Sequence, residues 1–186
     1  MSKGKLFILS GPSGSGKDTV MQKVFEKLPE LKFSISSITR PMRKGEVEGE
    51  KYHFVSKEEF KEMLNKDLLL EYNEFAGNFY GTPIIPVKEC INNGDDMLIE
   101  VDVNGAFNIR NKIKETVSIF LMPPSMEILE KRLRNRATDS EVAIQNRLII
   151  AKSEMDRANE FDYTVINDEV DNAASKIVTI IKNTKN

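Results

Sequence analysis

Residues 5–10 carry four consecutive apolar side chains, Leu6, Phe7, Ile8 and Leu9, and stop at Gly11, which predicts a short buried strand. Val20, Met21, Val24, Phe25 and Leu28 then recur at helical spacing over residues 17–28, and Pro29 ends the run. Residues 33–38 alternate apolar and polar positions, as one half-buried strand does. Ser56 followed by Glu59 forms a capping-box pattern ahead of Phe60, Met63 and Leu64. Thr82-Pro83 opens a helix carrying Ile84, Val87 and Ile91 that stops at Gly94. Residues 97–101 and 117–122 read as two further buried strands, the second ended by Pro123-Pro124. Ser125 is placed to cap a helix through Leu129 and Leu133. A longer helix is expected from about Ser140, with Ile144, Leu148, Ala151 and Met155 on one side. Residues 163–166 predict a last strand and 170–181 a last amphipathic helix.

Strands alternating with helices define an α/β chain with a mostly parallel central sheet covered on both faces. Residues 34–82 break the alternation with short strands and many charges, and read as an insertion with its own small sheet. No repeat, low-complexity stretch or Gly/Ser linker divides the 186 residues, so a single domain is expected, long enough to bury a core without disulfides.

Composition narrows the function. The chain is 40% hydrophobic and 30% charged, with 27 Lys plus Arg against 29 Asp plus Glu. Such a chain folds, and its near balance argues against a general nucleic-acid binder, which carries a basic excess. The longest apolar runs are four residues, far below the roughly 18 needed to span a bilayer. The N-terminal residues lead into the first strand without an apolar stretch long enough for a secretory signal. One cysteine, Cys90, makes no internal disulfide, and with one histidine it excludes a Cys/His zinc cage. The expectation is a cytoplasmic protein with neither nucleic acid nor membrane as partner. The eight arginines are less evenly spread than the 19 lysines. Arg40 and Arg43 form one group; Arg132, Arg134, Arg136, Arg147 and Arg157 form another. Arginine's planar fork suits bidentate phosphate or carboxylate binding, so the groups point to an anionic ligand.

Gly11-Pro12-Ser13-Gly14-Ser15-Gly16-Lys17-Asp18-Thr19 lies between the first strand and first helix with the Gly-x4-Gly-Lys spacing of a P-loop. Its glycines let backbone N–H groups curl around phosphate oxygens, and the helix N-terminus adds partial positive charge. Lys17 is expected to reach the β- and γ-phosphates. Asp18 stands where the strict pattern has the hydroxyl that ligates Mg²⁺. It could hold the metal directly, hold it through water, or point into solvent, while Thr19 caps the helix or supplies the hydroxyl. Glu100 and Asp102, two apart, are read as sharing one face at the carboxyl end of a buried strand, where ligands bind in open α/β sheets. Carboxylates there can organise Mg²⁺ and its waters or contact a base.

Ser36-Ser37-Ile38-Thr39-Arg40-Pro41-Met42-Arg43-Lys44-Gly45-Glu46, then Gly49-Glu50-Lys51-Tyr52, resembles the nucleotide-acceptor motif of guanylate kinases. Glu71-Tyr72, the run from Gly77 through Thr82, that from Ile99 through Gly105, Pro123-Pro124-Ser125, Arg132 with Arg136, Arg147 and the run Val165-Ile166-Asn167-Asp168 extend the resemblance, in order, over essentially the whole chain. The resemblance implies a three-layer P-loop NTPase fold. Its core is about residues 1–33, 83–124 and 158–186, with a GMP-binding subdomain at about 34–82 and a helical lid at about 125–157. It implies ATP and GMP as substrates, Mg²⁺ as cofactor, and direct in-line phosphoryl transfer. It places Ser36, Arg40, Arg43, Tyr52 and Tyr80 on the GMP phosphate, and Glu71, assisted by Thr82 and Asp102, on guanine. Arg132, Arg136 and Arg147 match lid positions that close on the transferring phosphoryl, and Asn167 one near the ATP adenine. Ala137 stands where the family often has glycine, while Arg134, Arg157 and His53 match no site position and read as surface or structural residues.

The chemistry of guanine fits such an acid: N1–H and the N2 amino group lie side by side, and one carboxylate accepts both, whereas adenine offers an acceptor at N1. A guanylate-kinase-like module that binds phosphorylated peptides is the rival reading. Such modules typically lose the phosphate loop and lid arginines, which this chain retains.

Overall fold

The computed structural model describes residues 3–135 and 140–184. The chain opens with β1 (Leu6–Ser10), α1 (Lys17–Lys27) and β2 (Lys32–Phe33). Next come β3 (Ser36–Ile38), β4 (Tyr52–Phe54), α2 (Lys57–Asn65), β5 (Leu69–Phe75) and β6 (Asn78–Pro83). Then follow α3 (Ile84–Asn92), β7 (Met97–Glu100), α4 (Val103–Lys112) and β8 (Val117–Met122). Helices α5 (Met126–Arg134) and α6 (Glu141–Met155), a 3-10 turn at Ala158–Glu160, β9 (Tyr163–Ile166) and α7 (Val170–Thr184) complete it.

The main sheet has the order β2-β7-β1-β8-β9, and every pairing in it is parallel. Its central strand, β1, has no polar face because helices cover both sides. Phe7 and Leu9 pack with Val20, Val24, Ala174 and Ile177 of α1 and α7. Leu6 and Ile8 pack with Val87, Ala106, Ile109 and Phe120 on the opposite side. Burying side chains of this size contributes about 1.5–3 kcal/mol each, and this two-sided burial is what the unbroken apolar run encodes. Gly11 follows β1 directly, so the phosphate-loop sequence lies at the carboxyl edge of the sheet, beside the ends of β7 and β8.

Residues 36–83 build a separate four-stranded sheet, β4-β3-β6-β5, in which β3 runs parallel to β4 and β6 is antiparallel to both β3 and β5. Ser56 and Glu59 make the expected capping box on α2. Helices α5 and α6 pack through Leu129, Leu133 and Ala151, and begin at the caps Ser125 and Ser140. Among the described residues no helix is long and apolar enough to cross a membrane.

Four expectations need correction. The single strand over 33–38 is two: Lys32 and Phe33 pair with β7, whereas Ser36–Ile38 join the small sheet. A period of two reports one buried face and says nothing about which sheet supplies it. The strand expected over 97–101 ends at Glu100, and Asp102 leaves it to cap α4, its carboxylate accepting the Gly105 N–H at 2.7 Å. Glu100 and Asp102 therefore do not share a strand face. Helix α4 itself was not anticipated; Val103, Ala106 and Ile109 carry its buried stripe among glycine and asparagines that favour turns. Finally, Thr82 and Pro83 finish β6 instead of opening α3, because Thr82 pairs with Glu71 across the hairpin.

Candidate active site

Gly11, Gly14 and Gly16 sit at φ +147°, +90° and +91°, backbone that side-chain-bearing residues rarely adopt. The turn they form brings Ser15 N–H to Pro12 O at 3.0 Å and sets Lys17 on the first turn of α1. Lys17 Nζ donates to Gly11 O at 2.6 Å and Pro12 O at 3.2 Å, so the cation arches over the loop. Burial lowers its pKa, against the opposing pull of Glu100, Glu154 and Asp18. Gly16, in the left-handed conformation, occupies the cap position of α1 with no side-chain cap bond, so Thr19 does not cap the helix; it is exposed.

Two arginines of α5 and α6 reach this loop. Arg132 donates to Ser15 O and to Asn167 O, each at 3.3 Å, and Arg147 donates to the Ser13 hydroxyl. Asn167 is buried after β9 and donates its side-chain amide to Ser15 O at 2.7 Å. Its Oδ1 is buried and has no hydrogen-bond partner within the protein. Arg136 and Ala137 lie outside the described residues. Arg134 is tied to Glu130 and Glu141 on the exposed face, as a surface residue is. Arg157 stacks 4.4 Å over the Phe107 ring and donates to Asn104, joining the end of α6 to α4.

Asp18 projects from α1 toward Lys51, whose ammonium it binds, and Glu100 Oε2 stands 3.4 Å from the same nitrogen. Burial alone would lower the pKa of Lys51, but Glu100 and Asp18 outweigh it and hold it above the ordinary lysine value. Two carboxylates already converging on one cation are a donor set suited to Mg²⁺, which binds through one or two carboxylates plus substrate phosphates and water. No group of three or more acidic, His or Cys side chains forms a closed metal cage among the described residues.

In the small sheet, Ser36 pairs with Tyr52 and Ile38 with Tyr80, so these positions share one face. Arg40 lies beside it, 9% exposed, with its guanidinium 5.4 Å from the Tyr52 ring centre and 5.6 Å from that of Phe54. It makes a bidentate pair with Glu46 at 2.5 and 2.7 Å, and Glu46 also accepts the Arg43 N–H at 2.7 Å. These contacts, led by Arg40, lower the Glu46 pKa to about 2. A planar anion thus already sits on Arg40, while the Arg43 side chain is exposed. His53 Nδ1 pairs with Glu48 Oε1 at 2.8 Å, both side chains being exposed.

The third cluster is built by the β5–β6 hairpin and α4. Thr82 Oγ1 donates to Glu71 Oε1 at 2.6 Å, both side chains being buried. Burial, with Asp102 adding to it, raises the Glu71 pKa to about 7. Asp102 accepts from Asn73 as well as from Gly105. Gly105 has no room for a side chain: a Cβ would stand 2.9 Å from Glu71 Oε2.

The phosphate loop, Asn167, Arg132 and Arg147 therefore converge, as do Ser36, Arg40, Tyr52 and Tyr80, and separately Glu71, Thr82 and Asp102. Sequence reading passed over Lys51 and Glu46, which were visible only as members of a motif run, and Glu154. That half-buried α6 carboxylate faces Lys17 and Asp102, and burial raises its pKa. The i,i+3/i+4 pattern of α6 carried no mark of it.

A parallel sheet whose central strand feeds a glycine-rich loop, a lysine and a helix N-terminus defines a P-loop fold of the phosphoryl-transfer class. The family model described as guanylate kinase matches residues 3–184. The guanylate kinase of Synechocystis sp. is 48% identical over 179 residues, covering 96% of this chain and 94% of that protein. That of Desulfitobacterium hafniense is 44% identical over 178 residues, covering 96% and 89%. The crystal structure of guanylate kinase from Anaplasma phagocytophilum superposes with a TM-score of 0.80 at 34% identity, covering 98% of this chain and 86% of that one. The chain belongs to the guanylate kinase family, a family of nucleoside monophosphate kinases.

Proposed function

We propose that this protein catalyses ATP + GMP ⇌ ADP + GDP, acting as an ATP:GMP phosphotransferase of purine nucleotide metabolism, with dGMP as a second acceptor. Family membership supports the reaction, and the buried Glu71–Thr82 pair is the observation that carries the acceptor choice. The ionised Glu71 accepts N1–H and N2–H of guanine, Thr82 holds one carboxylate oxygen in place, and Asp102 lies alongside. A base that left this buried carboxylate unmatched would bind with a desolvation penalty of about 1–3 kcal/mol.

In this reading Arg40, Arg43, Ser36, Tyr52 and Tyr80 hold the GMP phosphate, whose charge replaces the Glu46 carboxylate as partner of Arg40. Residues 11–19 cradle the ATP phosphates, and Asn167 Oδ1 faces the adenine. Lys17 leaves the loop carbonyls for the β- and γ-phosphates. The acceptor is a phosphate oxygen that is anionic at neutral pH, so no strong general base is required. That oxygen bonds to the γ-phosphorus while the bond to the β–γ bridging oxygen breaks and its electrons leave with ADP. Lys17, Arg132, Arg136 and Arg147 neutralise the charge spread over the transferring group. Asp18 and Glu100 would hold Mg²⁺, with Thr19 or Asp102 reached through water, and the ion would supply charge neutralisation to the phosphates. The acceptor segment at about 34–82 and the lid at about 125–157 close over the core to exclude water, which would otherwise hydrolyse ATP. A cytoplasmic location suits these substrates and the one free cysteine.

The test is ADP release measured with GMP, dGMP, AMP, CMP and UMP. Turnover with GMP should exceed that with AMP, CMP and UMP by orders of magnitude; equal turnover with AMP would overturn the assignment of Glu71. Tight phosphopeptide binding with no turnover of any monophosphate would replace the enzyme with a binding module.

A further inference from the structure

Lys51 belongs to the turn before β4, in the inserted segment, yet its ammonium is held by two carboxylates of the main body. Asp18 comes from α1, one residue after Lys17, and Glu100 from the carboxyl end of β7. The side chain is 37% exposed and its stem runs beside Tyr52, with the nitrogen 5.7 Å from that ring centre. This one cation ties the small sheet to the phosphate loop. It also sits on the oxygens that the reading above gives to the divalent cation. A metal ion and an ammonium sharing those oxygens would lie within a few ångströms of each other and repel, so the two occupy the pair in turn.

We propose that Lys51 is a positioning residue that serves as the built-in counter-ion of the Asp18–Glu100 pair. It holds the inserted sheet against the phosphate loop until a divalent cation displaces it. The proposal rests on the assignment of Asp18 and Glu100 to the metal side of the site. Two consequences follow. The metal affinity of the nucleotide-free protein is set by competition with Lys51, and metal entry loosens the turn that carries it. Asp18, at the position where the P-loop pattern has a hydroxyl, is then the residue that gives Lys51 its anchor.

The experiment uses the full chain without nucleotide. Mn²⁺ is titrated and followed by its electron paramagnetic resonance signal, and amide hydrogen exchange is read over residues 51–55. Lys51→Met keeps the stem and removes the charge, and should bind Mn²⁺ about tenfold more tightly, as expected for removal of a nearby like charge. Lys51→Arg should bind as the parent does. In the Lys51→Met background, Asp18→Asn should abolish the gain. Exchange over 51–55 should be faster in Lys51→Met without metal, and in the parent once Mn²⁺ is added. If Lys51→Met binds Mn²⁺ no better than the parent while Asp18→Asn and Glu100→Gln still weaken binding, the metal side stands and the competition is overturned. If Mn²⁺ binding is indifferent to both Asp18→Asn and Glu100→Gln, the metal assignment fails and the proposal fails with it.

Discussion

Thr82 Oγ1 donates a 2.6 Å hydrogen bond to Glu71 Oε1 from the directly opposed position of the β5–β6 hairpin. The bond stabilises the carboxylate, yet burial prevails and the Glu71 pKa stands at about 7, above its ordinary value of 4.5. A raised carboxyl pKa means that the folded state binds the extra proton between those two values, so stability falls as pH rises from about 4.5 to 7.

The first expectation follows from that sign. With guanine bound by the ionised carboxylate, as proposed, GMP affinity should rise through about pH 7, a rise that Glu71→Gln should lack. Isothermal titration of GMP at pH 6, 7 and 8 compares the two proteins, and the ionisation of the GMP phosphate is common to both. In urea, Glu71→Gln should be more stable than the parent at pH 8, by on the order of 2 kcal/mol, because it removes a buried charge. Parallel pH profiles for the two proteins would contradict this account of Glu71.

Lys17 bridges the loop carbonyls of Gly11 and Pro12. Lys17→Ala should lower kcat by about 100-fold or more, the scale for loss of a group that stabilises transition-state charge. The Kd for GMP should stay within about twofold, since charge effects fall off steeply beyond direct contact. Stopped-flow turnover and equilibrium GMP binding separate the two; unchanged kcat would remove Lys17 from the reaction.

Arg132 and Arg134 are two residues apart on α5 but differ in what they touch. Arg132 reaches Ser15 O and Asn167 O, whereas Arg134 is spent on Glu130 and Glu141 at the surface. Arg132→Ala should cut kcat by at least about tenfold. Arg134→Ala should leave kcat within about twofold, as exposed pairs contribute little. Equal losses in steady-state assays would mean that the general charge of α5, not contact with the loop, is what matters.

Gly16 has φ +91°, and a Cβ there would stand 2.5 Å from Asn167 Nδ2. Gly16→Ala should therefore cost about 1–2 kcal/mol for the left-handed backbone and also push Asn167 off Ser15 O. Asn167→Ala, which leaves Ser15 O to Arg132 alone, should cost about 1–2 kcal/mol and raise the KM for ATP. Urea denaturation and ATP-dependent kinetics test both; a stable Gly16→Ala enzyme with parental KM would show that the loop tolerates the shift.

Much of the framework was legible because local rules report it directly. The run Leu6, Phe7, Ile8, Leu9 needs cover on both faces, and the caps Ser56, Ser125 and Ser140 start their helices where the pattern expects them. The division of residues 33–38 between two sheets was not legible, since period-two alternation does not name its partner strand. Nor was α4, whose capping Asp102 and glycine look like a loop until Val103, Ala106 and Ile109 find the sheet.

The sequence by itself determined the strand–loop–helix order, the phosphate loop and the family motifs, because each depends on neighbours within a few residues. Tertiary structure decided which charges meet. Lys51 finds Asp18 across 33 positions, Arg132 finds Ser15 across 117, and Asn167 finds the same residue across 152. Such pairings depend on sheet order and helix direction, which place distant segments at one edge, and a side chain's effective charge there depends on burial that no local pattern records. That is why Glu71, read from sequence as a single acid, has its pKa set by the fold.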